Sequence, residues 1–231
     1  MWNHESERKK NMMKRFLVSL AFIAFAISAA AAQLPAVLKA EPDGSVQLGN
    51  IGMYVIHIGE QWAGSMQRSL NPDEKTKIGP DRIFVSGSFP AANSSENFTF
   101  VEELLPTEAE KVSCSWRITA PQDVICRALA VSFDIPAGTA GTGITVDGTK
   151  VVLPEQTRGI GLFRKGGATE VVITPAGGQA IRLVGKFDAA IQDNRKFSQN
   201  TFSVRLSPVG MPQKLRDWKL DFQLELLPQN K

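Results

Sequence analysis

The chain has 231 residues, 43% of them hydrophobic and 21% charged, with 26 Lys and Arg against 23 Asp and Glu. Five basic residues (Arg8, Lys9, Lys10, Lys14, Arg15) and two acidic ones (Glu5, Glu7) fall in the first 32 positions, so 21 of each sign remain beyond them. A formally neutral body excludes the clustered basic surface that nucleic acid or anionic lipid requires.

In chain order, Lys14 and Arg15 lead into an apolar run over 16–27, then Ser28 and alanines at 29–32. A basic head, a short apolar middle and a small-residue tail form the pattern of a secretory signal peptide. The apolar run is too short for a comfortable membrane-spanning helix. The expectation is a leader over 1–32, within which Met12 or Met13 is an alternative start, and a single β-sandwich domain over 33–231. The product would be secreted, periplasmic or held at the cell envelope, with no stable membrane span after cleavage.

Beyond the leader, helical periodicity is nearly absent. Period-two and β-branched runs recur instead, bounded by Gly, Pro, Asn or Asp. Strands are predicted over 52–58, 82–89, 97–104, 111–119, 124–135, 143–146, 150–153, 159–164, 169–174, 180–187, 201–206 and 218–226. Asp147-Gly148 sits between β-branched residues as a two-residue hairpin turn. Further turns are expected at Gly166-Gly167 and at 175–178. Residues 60–81 and 188–200 read as polar excursions. Such strand density predicts an all-β fold, an antiparallel sandwich or jelly roll.

Cys114 and Cys126 are the only cysteines. In an oxidising compartment they are a disulfide candidate, flanking a turn expected at 120–123. Two small buried thiols are the alternative.

The chemistry is defined largely by what is missing. One histidine, His57, follows the leader, and it lies inside an apolar strand pattern, where a satisfied sheet residue is expected. No nucleophile elbow, zinc-binding HExxH or phosphate-binding glycine loop is present. No metal site and no cofactor are expected. Glu102 and Glu103 adjoin on one strand and must face opposite ways, so only one could serve a cleft. A solvated strand face is the expectation for them. Trp116 and Trp218 fall in core-like alternation, leaving Trp62 as the aromatic in an irregular polar stretch that also holds Arg68. Gln192, Asp193, Asn194 and Arg195 form the densest polar cluster. The ligand-binding candidates are Trp62, Arg68, Asp193, Asn194 and Arg195, although Asp193 could instead cap a turn that Arg195 braces.

Five motifs carry a resemblance: FTFVEE (98–103), VSCSWRI (112–118), LPE (153–155), GKF (185–187) with QDNR (192–195), and FSVRL (202–206). They resemble secreted β-sandwich modules associated with large glycoside-hydrolase-like proteins of polysaccharide-degrading bacteria. The resemblance implies a carbohydrate setting in which any reaction belongs to a separate barrel domain, so no catalytic residue is carried over. The sequence therefore favours a non-catalytic β-sandwich binding a polysaccharide or a cell-surface protein. A jelly-roll hydrolase or lyase using carboxylates, and a structural envelope or adhesion domain, are the alternatives.

Overall fold

The computed structural model describes residues 32–137, 142–157 and 159–228. The expected leader, apart from Ala32, lies outside the described residues. Sixteen strands are found among those described. The first eight are β1 (Leu38–Ala40), β2 (Val46–Leu48), β3 (Ile51–Ile58), β4 (Gly64–Met66), β5 (Asn71–Pro72), β6 (Lys77–Ile78), β7 (Ile83–Pro90) and β8 (Asn97–Glu108). The others are β9 (Lys111–Ile125), β10 (Ala128–Pro136), β11 (Gly143–Val146), β12 (Thr149–Val151), β13 (Gly161–Thr174), β14 (Ile181–Asp193), β15 (Thr201–Ser207) and β16 (Lys214–Leu226). Among the described residues no helix is long and apolar enough to cross a membrane.

The strands form one curled antiparallel sheet in the order β1-β2-β3-β10-β15-β14-β16-β9-β8-β7-β5. Strand β14 is where it divides. One edge of β14 pairs with β13 along most of its length. On the other edge, Ile181 to Gly185 pair with β16, and Asp188 to Asp193 pair with β15. Two arms leave this fork and face each other across a core. Phe133 of β10 meets Phe222 of β16 with ring centroids 6.0 Å apart, and Phe222 stacks on Trp116 of β9 at 5.2 Å. His57 of β3 stands edge-on to Phe98 of β8 at 4.9 Å.

Period-two alternation builds this core. On β9, Val112, Cys114, Trp116 and Ile118 are buried while Ser113 and Arg117 are exposed. On β16, Trp218, Leu220, Phe222, Leu224 and Leu226 turn inward. Each such side chain stabilises by about 1.5–3 kcal/mol on burial.

At the fork the backbones crowd. A Cβ on Gly185 would lie 3.0 Å from the Cβ of Phe222 and 3.1 Å from the Asp221 carbonyl oxygen. Gly185→Val is therefore expected to destabilise the protein by about 1–3 kcal/mol through overpacking. A thermal midpoint within a degree of wild type would contradict the tight fork.

Three expectations need correction. Residues 120–123 are not a turn: β9 runs through them, with extra residues bulging opposite β16, where Leu215 faces Val124 and Asp217 faces Thr119. Pro121 fits inside a bulge because the ladder is already interrupted there. The disulfide fails for the same reason. Cys114 faces Phe222 and Ile125 faces Lys214, so the two sulfurs sit near opposite ends of one ladder. Eight residues of β16 correspond to roughly 26 Å, whereas a disulfide needs Cα atoms within about 7 Å. Both thiols are free and buried.

Gly166-Gly167 is likewise a bulge within β13 rather than a turn. Lys165 pairs with Ala189 and Ala168 with Phe187, so one residue is extra. Gly167 takes φ +64° and donates its N–H to Asp188 Oδ1 at 2.9 Å. Asp147-Gly148 does turn as expected, with φ 44° and 77°.

Candidate functional site

Five strands present a second face away from the core. Cross-strand register places Tyr54 (β3), Ser132 (β10), Arg205 (β15), Ala190 (β14) and Arg164 (β13) in one row. The adjacent row holds Asp134, Ser203 and Gln192. Small side chains flank the long Arg205 on both neighbouring strands. The result is a hollow of about 290 Å³, lined by Arg127, Ala130, Arg164, Asp188, Gln192 and Arg205 among others.

Its electrostatics are unbalanced. Asp134 is occupied by the Tyr54 hydroxyl, which donates at 2.5 Å, and by Ser132 Oγ at 3.0 Å. Burial, and then the nearby Asp134 charge, push the Tyr54 phenol well above its ordinary pKa. Asp188 accepts the N–H groups of Gly167 and Gly210 at 2.9 and 3.0 Å. Lys165 is paired with Asp147 at 2.7 Å. Among the described residues, no carboxylate pairs with Arg127, Arg164 or Arg205. Burial draws the Arg205 guanidinium below its ordinary pKa, opposed by Asp134. Arg205 Nε and Gln192 Oε1 are both buried and have no hydrogen-bond partner in the protein.

Trp62, 73% exposed, meets this hollow through Arg127, whose guanidinium lies 5.1 Å from its ring centre. Gln61 and Trp62 adopt φ 54° and 62°, a left-handed pair that bulky residues rarely take. The turn is held by Ala63 N–H to Glu60 O at 3.2 Å and by Asn93 Nδ2 to the same oxygen at 3.1 Å.

Arg68 lies 5.2 Å over the Tyr54 ring and lines a neighbouring hollow of about 490 Å³ with Glu41, Asp43, Ser45 and Gln47. Beneath it, Gln67 accepts the Val55 N–H at 2.9 Å and donates to Asp43 O at 2.9 Å and Glu102 Oε2 at 2.6 Å.

The Asp193–Arg195 cluster belongs to neither hollow. Asp193 is fully buried; it caps the 3₁₀ turn Asn194–Phe197 by accepting the Arg195 N–H. Its Oδ1 and Oδ2 also accept Arg195 Nε at 2.8 Å and a terminal guanidinium nitrogen at 2.7 Å. That contact, first among several, holds the Asp193 carboxyl below its ordinary pKa. Arg195 also donates to the carbonyls of Glu155 at 2.7 Å and Pro154 at 2.8 Å. Asn194 bonds Thr201 and Ser203, each at 3.2 Å. The five candidates from sequence are thus not gathered into one concavity. Trp62 contacts Arg127 of one hollow, Arg68 lines another, and the polar groups of Asp193, Asn194 and Arg195 are spent on protein partners.

His57 is fully buried; it contacts the Ile125 carbonyl through Nε2 at 3.1 Å and accepts the Ala92 N–H on Nδ1 at 3.0 Å. This is the satisfied sheet histidine expected. Glu102 is not on a solvated face: it is 1% exposed, facing inward with Phe98 and Phe100. Glu103 points the other way and pairs with Arg82. The two glutamates therefore share no cleft.

The sequence marks Gln192 only as part of the polar cluster with Asp193, and gives no reason to single out Arg205, Arg164 or Arg127. The available signal was Ala128, Ala130, Ser132, Ala190, Ser203 and Ser207, small residues at outward positions of three adjacent strands.

No family model and no curated protein matches this chain. Among solved structures it is similar to an Escherichia coli K12 protein provisionally named an aldose 1-epimerase. The two share 10% identity at a TM-score of 0.42, covering 85% of this chain and 81% of that one.

Proposed function

We propose that the chain is an exported, non-catalytic β-domain that binds carbohydrate through the Arg205 hollow, with Trp62 as its stacking platform. The observation that carries this reading is the placement of an exposed indole beside a hollow lined with planar polar groups. Sugar C–H groups stack on an aromatic face, and guanidinium and amide groups match paired hydroxyls. The paired positive-φ residues that hold Trp62 outward cost stability, which is the kind of strain found at binding sites. The leader over 1–32 supports an extracytoplasmic location, where polysaccharide is the available partner.

The test is affinity electrophoresis of the purified protein through gels carrying single polysaccharides. At least one is expected to retard the wild type. Trp62→Ala should weaken that retardation by about 3–10-fold, the worth of one aromatic contact, while leaving the thermal midpoint unchanged. No retardation by any polysaccharide would refute the proposal.

A further inference from the structure

We infer that the Arg205 hollow selects uronic acid residues, seating the carboxylate on Arg205 and a ring hydroxyl on Gln192. This rests on the carbohydrate reading above and narrows it to one class of sugar.

Charge comes first. Lys165 is tied to Asp147, whereas Asp188 is held by two backbone N–H groups and keeps its negative charge. Three guanidinium groups, Arg127, Arg164 and Arg205, line the hollow with the single carboxylate of Asp188, and Asp134 lies near Arg205; none of the three arginines is ion-paired among the described residues. Asp134 acts on the Arg205 guanidinium through space without pairing with it, so the fork of donors is free to match a carboxylate. A neutral sugar would leave the net positive charge of the hollow unchanged.

The two orphaned atoms sharpen the choice. Arg205 Nε is a buried donor without an acceptor, and Gln192 Oε1 is a buried acceptor without a donor. A neutral sugar supplies hydroxyls but no anion. A sugar bearing an acidic group supplies both, and a planar carboxylate matches the guanidinium fork. Gln192 faces Ser203, two residues before Arg205, so the pair are diagonal neighbours on adjacent strands. Their Cα atoms are about 7–8 Å apart, a gap that two convergent side chains and one sugar residue fill. Arg164 on β13 and Arg127 beside Trp62 lie on either side, where carboxylates of flanking residues in a polyuronate would fall.

Calorimetric titration of the purified protein tests this with oligogalacturonate, oligomannuronate and oligoglucuronate, each as free acid and methyl ester, and with a sulfated neutral galactan. At least one free acid is expected to bind. Its methyl ester, uncharged and larger by one methyl group, should bind at least tenfold more weakly. Arg205→Gln should lower free-acid affinity at least tenfold and leave the ester unchanged. Arg164→Gln, at an exposed position that cannot compromise folding, should lower it about threefold, and added salt should weaken the free acid alone. Equal binding of acid and ester, unchanged affinity in both arginine variants, or binding of the sulfated galactan alone would overturn the uronate assignment while leaving the carbohydrate reading intact. Failure of every glycan, charged or neutral, would overturn both.

Discussion

Arg195→Ala is expected to destabilise the protein by about 3 kcal/mol. Asp193 has no exposed surface, and Arg195 is its only ion-pair partner among the described residues. Removing the guanidinium leaves a buried carboxylate uncompensated and strips donors from the carbonyls of Pro154 and Glu155. The cost falls at the lower end of what breaking a buried pair entails, because the Arg195 side chain stays 16% exposed and water can reach part of the site. The Arg195 contact with the Phe202 ring, at 4.8 Å, is lost as well. The double variant Asp193→Asn with Arg195→Ala should recover much of the loss, since neither charge is then stranded. Chemical denaturation of the four proteins in this cycle gives the answer. A single-variant loss below about 0.5 kcal/mol would show that the clamp contributes nothing.

Gln67→Leu should be of similar size, roughly 2–5 kcal/mol, because it strands two buried groups at once. The Val55 N–H loses its acceptor and the Glu102 carboxyl loses its donor. Glu102 lies under Gly44, whose φ of +80° and lack of a side chain allow the approach: a Cβ there would stand 2.5 Å from Glu102 Oε2. The Trp116 indole N–H lies alongside without completing a hydrogen bond. Burial, the dominant cause, raises the Glu102 pKa well above its ordinary value, and the Gln67 hydrogen bond opposes it.

The pH signature follows from that direction. Above the ordinary carboxylate pKa the unfolded chain has released this proton while the folded chain retains it. Stability attributable to Glu102 therefore falls as pH rises through that window. His57 acts oppositely, since burial lowers its pKa, so the measurement is the difference between wild type and Glu102→Gln. Their stability difference is expected to shift in favour of the glutamine variant between pH 4 and pH 8. A pH-independent difference would contradict a buried carboxyl that holds its proton.

Fold class was readable because the apolar positions alternate with period two. Trp116 and Trp218 fell inward on that rule alone, and Glu102 could have been assigned inward by it, since it shares parity with Phe98 and Phe100. Ends of strands were harder. β14 continues past Phe187 because Ala189 and Ile191 keep the inward parity through a stretch that reads as polar. β9 passes through Pro121 because a bulge absorbs the missing donor. Trp62 stood out for lack of any periodic context. The Arg205 hollow did not, because its row joins positions 54, 132, 205, 190 and 164, which only sheet register brings together.

The indole N–H resonances of Trp62, Trp116 and Trp218 and the Nε–H resonance of Arg205, followed by NMR during titration with oligogalacturonate, oligomannuronate and oligoglucuronate, test the account most directly. Trp62 is exposed, while Trp116 and Trp218 are 1% and 2% exposed and serve as internal controls. For at least one of these glycans the account predicts that Trp62 and Arg205 shift together and saturate at one concentration, with the two core indoles unmoved. Saturable binding that leaves Trp62 and Arg205 unchanged would contradict it.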